Sequence, residues 1–152
     1  NIILSATQQL GEFVKSLKNK VLLMGPDEES LQWVKQVATI SNSSYSVATK
    51  TRHSDTHVSI QLPEINIKNQ HIILVDDVIS TGNTVAQTAI QLYAAGATQV
   101  DVLVTHALFS KTAMDTLKKA KIKNIYSSDS IPHETNCILL NNMLAKNIKN
   151  II

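Results

Sequence analysis

One cysteine, Cys137, is all that this 152-residue chain carries, so neither a disulfide framework nor a cysteine-built zinc motif can form within it. Cys137 sits in the apolar stretch 137–140 and is expected to pack as a small buried hydrophobe, a usage that fits a reducing cytoplasm. Surplus charge is equally scarce. A formal net charge of +2, with the basic residues scattered, argues against a nucleic-acid surface. There is no signal peptide and no apolar run near the length that crosses a bilayer, which argues against a membrane role. With four glycines in the chain, no GxGxxG opens a helix and no Walker loop is present, so a dinucleotide site or a P-loop is not expected. Internal repeats and low-complexity segments are missing too. At 43% hydrophobic, residues 1–152 have the length and apolar content for one globular domain with a real core.

The most informative stretch is IILVDDVISTGNTV, residues 72–85, which turns from apolar to acidic and then to hydroxyl- and glycine-rich. Residues 72–75 form a β-branched run of the kind a buried parallel strand needs. Asp76 and Asp77 follow at its carboxyl end, where open α/β sheets bind ligands. Ser80, Thr81, Gly82, Asn83 and Thr84 come next, and residues 85–95 continue at helical spacing through Ala89, Leu92 and Tyr93. Small residues opening a helix present free backbone N–H groups at the positive end of its dipole, which suits a phosphate. Two carboxylates cannot serve that phosphate; they suit sugar hydroxyls or an oxygen-ligated Mg²⁺ ion. Helix capping alone would require neither tandem acids nor five consecutive small loop residues.

The rest of the chain alternates strand and helix. Ser5 can cap a helix with Leu10, Phe13, Val14 and Leu17 on one stripe. Residues 21–24 predict a buried strand stopped by Gly25 and Pro26, and 28–40 a helix with Leu31, Val34 and Val37 inward. Trp33 is expected to pack in the core or an interface. Residues 45–49 predict a strand, and KTRHSDTH, 50–57, a mobile polar loop. Val58, Ile60 and Leu62 alternate with polar residues as in a half-exposed strand. Further strands are expected at 100–104, 122–126 and 138–140, and helices at 111–119 and 141–151. The resulting fold class is α/β, a mostly parallel sheet with helices on both faces. The loops GPDEES, KTRHSDTH, DDVISTGNT and THALFS would gather on one edge as the site.

Residues 72–85 resemble the phosphoribosyl-binding signature of the type I phosphoribosyltransferase fold. Together with GPDEESLQWV, KTRHSDTHV, THALFS and SDSIP, they make nearly the whole chain similar to the carboxyl-terminal half of the ribose-phosphate pyrophosphokinase family, and the KTR element to its archaeal-type branch. That resemblance implies Mg²⁺-dependent transfer of the diphosphoryl group of ATP to ribose 5-phosphate, giving phosphoribosyl pyrophosphate and AMP, by a protein that forms homo-oligomers. It implies that Lys50 and Arg52 are the catalytic pair and that Asp76 and Asp77 hold the ribose hydroxyls and a hydrated Mg²⁺. Ser80, Thr81, Gly82, Asn83 and Thr84 would bind the 5-phosphate, and Gly25, Pro26, Asp27 and Glu28 would form the diphosphate loop. The roles of His53 and His57 stay open, and His106 is expected to pack behind the site.

Three departures from the family pattern stand out. Ser80 and Asn83 replace an acid and a second glycine, and Asn tolerates positive φ. Glu28 and Glu29 bring two carboxylates into the diphosphate loop. One of them about 6 Å from a diphosphate charge would cost roughly 3 kcal/mol at an effective dielectric near 20, so they must point away, bind Mg²⁺ or weaken the site. Finally, the family's amino-terminal half has no counterpart here, and position 1 is Asn1, which suggests a domain excerpt. Two other readings stay open on these residues: a phosphoribosyltransferase that uses phosphoribosyl pyrophosphate as donor, and a noncatalytic associated regulatory subunit.

Overall fold

The β-branched runs become the centre of a parallel sheet, and the amphipathic segments become its two covering layers. A computed structural model describes residues 5–53 and 58–149. Its elements are α1 (Thr7–Ser16), β1 (Leu22–Gly25), a 3₁₀ turn (Glu28–Ser30) leading into α2 (Leu31–Ser41), and β2 (Ser44–Val47). Then come β3 (Thr49–Arg52), β4 (Val58–Gln61), β5 (His71–Ile79), α3 (Asn83–Ala94) and β6 (Gln99–Ala107). The chain continues through α4 (Ala113–Lys119), β7 (Ile125–Ser128), β8 (Asn136–Ile138) and α5 (Asn141–Lys149). His57 and the rest of 54–57, and the expected last residues of the final helix, lie outside the described residues.

Six strands pair in the order β2-β1-β5-β6-β7-β8, every contact parallel. Strand alternation splits the core. Ile72, Leu74, Val100, Val102 and Val104 face Val85, Ala89, Leu92 and Leu117 of α3 and α4. Ile73, Val75 and Leu103 face Leu10, Val14, Val34 and Val37 of α1 and α2. Burial on both faces is what makes the central strands continuous apolar runs. From β1 the chain winds outward to β2, whereas from β5 it winds the other way to β6. The strand order therefore reverses between β1 and β5, and a crevice opens beyond their carboxyl ends.

Several local expectations are corrected by this packing. β5 and β6 are each nine residues long, because neighbouring strands supply ladder partners beyond the apolar run. Asp76, Asp77 and 105–107 thus lie inside strands instead of in loops. Residues 50–52 are not loop but part of β3, which pairs antiparallel with β4, Lys50 opposite Ile60. The alternation of β-branched Thr49 and Thr51 with Lys50 and Arg52 is a strand signal that the polarity of the segment masks. Leu31 opens α2 at the carboxyl edge and remains 47% exposed, and Trp33 is half-buried outside the two core clusters. Cys137 is exposed, not buried: β8 is an edge strand, so Ile138 turns inward while its neighbour turns out. Ser5 accepts a hydrogen bond from the Thr7 amide at 3.3 Å, but Ala6 occupies the cap position and no side chain caps α1 among the described residues.

Candidate functional site

The crevice between β1 and β5 holds a cavity of about 390 Å³. Its walls are Asp27 and Glu29 from the loop after β1, Asp76 and Asp77 from β5, and residues 78–85, including Ser80, Thr81, Gly82, Asn83 and Thr84. The acid pair and the small-residue loop therefore share one space. Gly25 and Pro26 do not line it. Gly25 ends β1, and the Pro26 carbonyl accepts a long bond from Thr88 Oγ1 at 3.5 Å.

The loop takes its shape from Gly82, which has φ of +75° and caps α3. Asn83 is the first helical residue, so the expected positive φ falls one position earlier than its side chain chemistry suggested. The Asn83 amide leans on Thr81 Oγ1 at 3.4 Å, and the helical ladder starts with the Ala86 amide donating to the Gly82 carbonyl at 2.8 Å. The Thr84 and Val85 amides come before any intrahelical acceptor, and both residues line the cavity. A Cβ at residue 82 would lie 3.0 Å from Leu117 Cδ2 in a region that L residues avoid. Gly82→Ala is expected to lower stability by about 1–2 kcal/mol, read as a fall in Tm of roughly 3–6 °C in thermal melts.

Lys50 reaches two residues of the cavity wall from outside the main sheet. Its ammonium donates to Thr84 Oγ1 at 3.0 Å and lies 3.9 Å from Asp27 Oδ2. Its backbone amide donates to Glu28 Oε2 at 3.1 Å, and the ribbon's first tether is the Ala48 amide on the Gly25 carbonyl at 2.9 Å. Arg52, two positions on, shares Lys50's face of β3 by strand period but is exposed and does not reach the cavity wall. The Glu28 carboxyl is held below its ordinary value, first by the Lys50 amide and then by its own backbone N–H. It is Glu29, not Glu28, that lines the cavity. Sequence order alone could not separate these two adjacent acids, because the 3₁₀ turn that starts at Glu28 decides their directions.

Burial raises the Asp76 carboxyl from an ordinary 3.8 to about 7; the negative charges of Asp77 and Asp27 push it the same way, against the Asp77 amide that donates to it. That amide lies 2.9 Å from Asp76 Oδ1. Four carboxylates around one space, met by Lys50 alone of the lysines among the described residues, make a strongly acidic site that favours a cation. No cluster of three or more metal-ligating side chains exists among the described residues, so a dedicated protein cage is not what this is. Mg²⁺ typically takes one or two carboxylates and fills its other positions with water and phosphate oxygens, and this donor set fits that habit.

The loop after β6 buttresses the site from behind. The Ser110 amide donates to the Ser80 carbonyl at 3.0 Å. His106 Nδ1 is 2.9 Å from Ser130 Oγ, which itself donates to the Thr105 carbonyl at 2.8 Å, and His53 Nε2 is 2.8 Å from Ser59 Oγ across the ribbon. Neither imidazole lines the cavity.

Known proteins share this arrangement of elements. Residues 6–138 match the family model described as phosphoribosyl transferase domain. Ribose-phosphate pyrophosphokinase 2 of Archaeoglobus fulgidus is 32% identical over 145 residues, which is 95% of this chain and 53% of that protein. The ribose-phosphate pyrophosphokinase of Sulfurisphaera tokodaii is 34% identical over 128 residues, covering 83% of this chain and 44% of that one. The solved structure of phosphoribosylpyrophosphate synthetase from Mycobacterium smegmatis superposes with a TM-score of 0.78 at 20% identity, over 96% of this chain and 50% of the other. The chain spans about half the length of the curated relatives it matches.

Proposed function

The chain belongs to the phosphoribosyl transferase domain family, and on that premise we propose that it supplies the ribose 5-phosphate site of a ribose-phosphate pyrophosphokinase. In that reading the whole protein transfers the diphosphoryl group of ATP to the anomeric hydroxyl of ribose 5-phosphate, giving phosphoribosyl pyrophosphate and AMP. The homology to archaeal ribose-phosphate pyrophosphokinases supports it. The observation that carries it is the placement of the Lys50 ammonium, 3.0 Å from Thr84 and 3.9 Å from Asp27, beside the cavity that the acid pair lines.

The chemistry follows from the parts. Asp76 and Asp77 are hydrogen-bond acceptors at the cavity wall, so they pair with the donor hydroxyls of a ribose. The amides and hydroxyls of Ser80 to Thr84 are donors at a helix start, so they take the 5-phosphate. With both ends of the sugar held, the anomeric oxygen is left toward the loop after β1 and Lys50. A diphosphoryl group in transfer spreads negative charge over its oxygens, and a fixed ammonium in a partly desolvated site stabilises that charge. Arg52 would join Lys50 only if the ribbon shifted, since it stands away from the cavity here. Mg²⁺, held by Asp76 and Asp77 with water and substrate oxygens, would neutralise charge on the phosphates when bound.

Isothermal titration calorimetry tests the site on this chain. Ribose 5-phosphate with Mg²⁺ is expected to bind, and Asp76→Asn combined with Asp77→Asn to abolish the heat. Undiminished binding by the double variant would overturn the assignment.

A further inference from the structure

The two adjacent acids of the loop after β1 have separate fates: Glu29 lines the cavity, and Glu28 contacts the β3–β4 ribbon. Among the described residues, β3 and β4 form their own two-stranded sheet, separate from the six-stranded one. In an antiparallel ladder, successive residues point their N–H and C=O groups alternately at the partner strand and away from it. The Lys50 amide donates to Glu28 Oε2 at 3.1 Å, so Lys50 is an outward-pointing position, and the amides of Thr49 and Thr51 are the ones that face β4. A two-stranded ribbon has two open edges. On the edge nearest the site, the Glu28 carboxylate stands where a third strand would place an acceptor.

This contact falls on the residue whose side chain reaches the cavity wall. The ribbon leaves the loop after β1 through the Ala48 amide on the Gly25 carbonyl, a bond at its root. Two positions further on, Glu28 fixes the backbone of the very residue whose ammonium meets Thr84 and Asp27. Without Glu28, the Lys50 backbone would keep the root bond at Ala48, the ladder with β4 and the packing of buried Ile60 opposite it, but nothing would hold its outward-pointing amide. Glu28 is also not among the residues that line the cavity, while Glu29 is.

We propose that Glu28 is a positioning residue: its carboxylate latches the β3–β4 ribbon through the Lys50 amide and so seats the Lys50 ammonium against Thr84 and Asp27. What the seated lysine does rests on the functional reading above; the latch does not. Amide hydrogen exchange followed by NMR in the ligand-free chain reads it directly. In Glu28→Ala the Lys50 amide exchanges about three- to tenfold faster, as expected for loss of one exposed hydrogen bond, while the Thr51 amide, bonded within the ribbon, keeps its rate. Glu28→Gln is the necessary companion, because a nearby negative charge alone slows base-catalysed exchange. Its amide oxygen still accepts, so it returns the Lys50 rate to within about twofold of the unmodified chain. An unchanged Lys50 rate in Glu28→Ala, or a Gln variant as fast as the Ala variant, overturns the latch. Calorimetry separates the two ideas. If the unmodified chain takes up no ribose 5-phosphate with Mg²⁺, the functional reading falls and the exchange result still decides the latch.

Discussion

Asp76→Asn is expected to make the metal-free chain more stable at pH 8, by about 3 kcal/mol, and at the same time to remove most of its affinity for ribose 5-phosphate. The stability gain follows from the sign of the pKa shift. Asp76 rises from 3.8 to about 7 in the fold, so between those values the folded state holds a proton that the unfolded chain has released. Stability must then fall as pH rises through that window, and the full penalty is present above about 7. A shift of about three units corresponds to roughly 4 kcal/mol, and an amide retains some desolvation cost of its own, which leaves about 3. Urea unfolding in the presence of a chelator checks this: the unmodified chain loses stability from about pH 4 to 7, and the variant shows little of that slope. Near pH 4 the two should coincide. A variant less stable than its parent at pH 8 would mean that Asp76 is a satisfied carboxylate and not a strained one. Opposite movements of stability and binding are the mark of a group held in place for a ligand.

Asp101→Ala should produce the largest loss of stability, about 3–5 kcal/mol, with the ligand site untouched. Asp101 is fully buried at the amino-terminal end of β6, the opposite edge of the sheet from the cavity. Its Oδ2 accepts from His71 Nε2 and Gln99 Nε2, both at 2.8 Å. Its Oδ1 accepts from the backbone and side-chain nitrogens of Asn124, both at 3.1 Å. One carboxylate therefore ties the starts of β5 and β6 to the segment that enters β7. Truncation strands those donors around a buried gap, which costs far more than the net value of the bonds themselves. With Tm moving about 2–4 °C per kcal/mol at this chain length, a fall of roughly 10 °C is expected in thermal melts, and Asp101→Asn should recover part of it. A change below 1 kcal/mol would show that the network relaxes onto water.

Asp101 also shows where reading along the chain ends. Inside VDVLV the acid looks like an interruption of a buried strand, and two of its three partners come from 23 to 30 positions away, with only Gln99 close in the chain. The same holds for Lys50. Its polar neighbours suggested loop, yet the β-ribbon exists because 49–52 meets 58–61, and Glu28 and Glu29 are told apart only by a 3₁₀ turn. The acid pair and the small-residue loop were legible because their parts lie within nine positions of one another, on a strand, its end and a helix start.

Local order carried the alternation of strand and helix, the two faces of the central strands, the phosphate-type loop and the family, since each depends on spacing over a few residues. Through-space packing settled which strands lie at the edge, hence the exposure of Cys137; which acid faces the cavity; how far β5 and β6 extend; and what holds Lys50. The reason is physical. Periodicity records which side of an element is apolar, but burial, ladder length and charge environment belong to the neighbours that folding brings alongside, and those neighbours are distant in the chain.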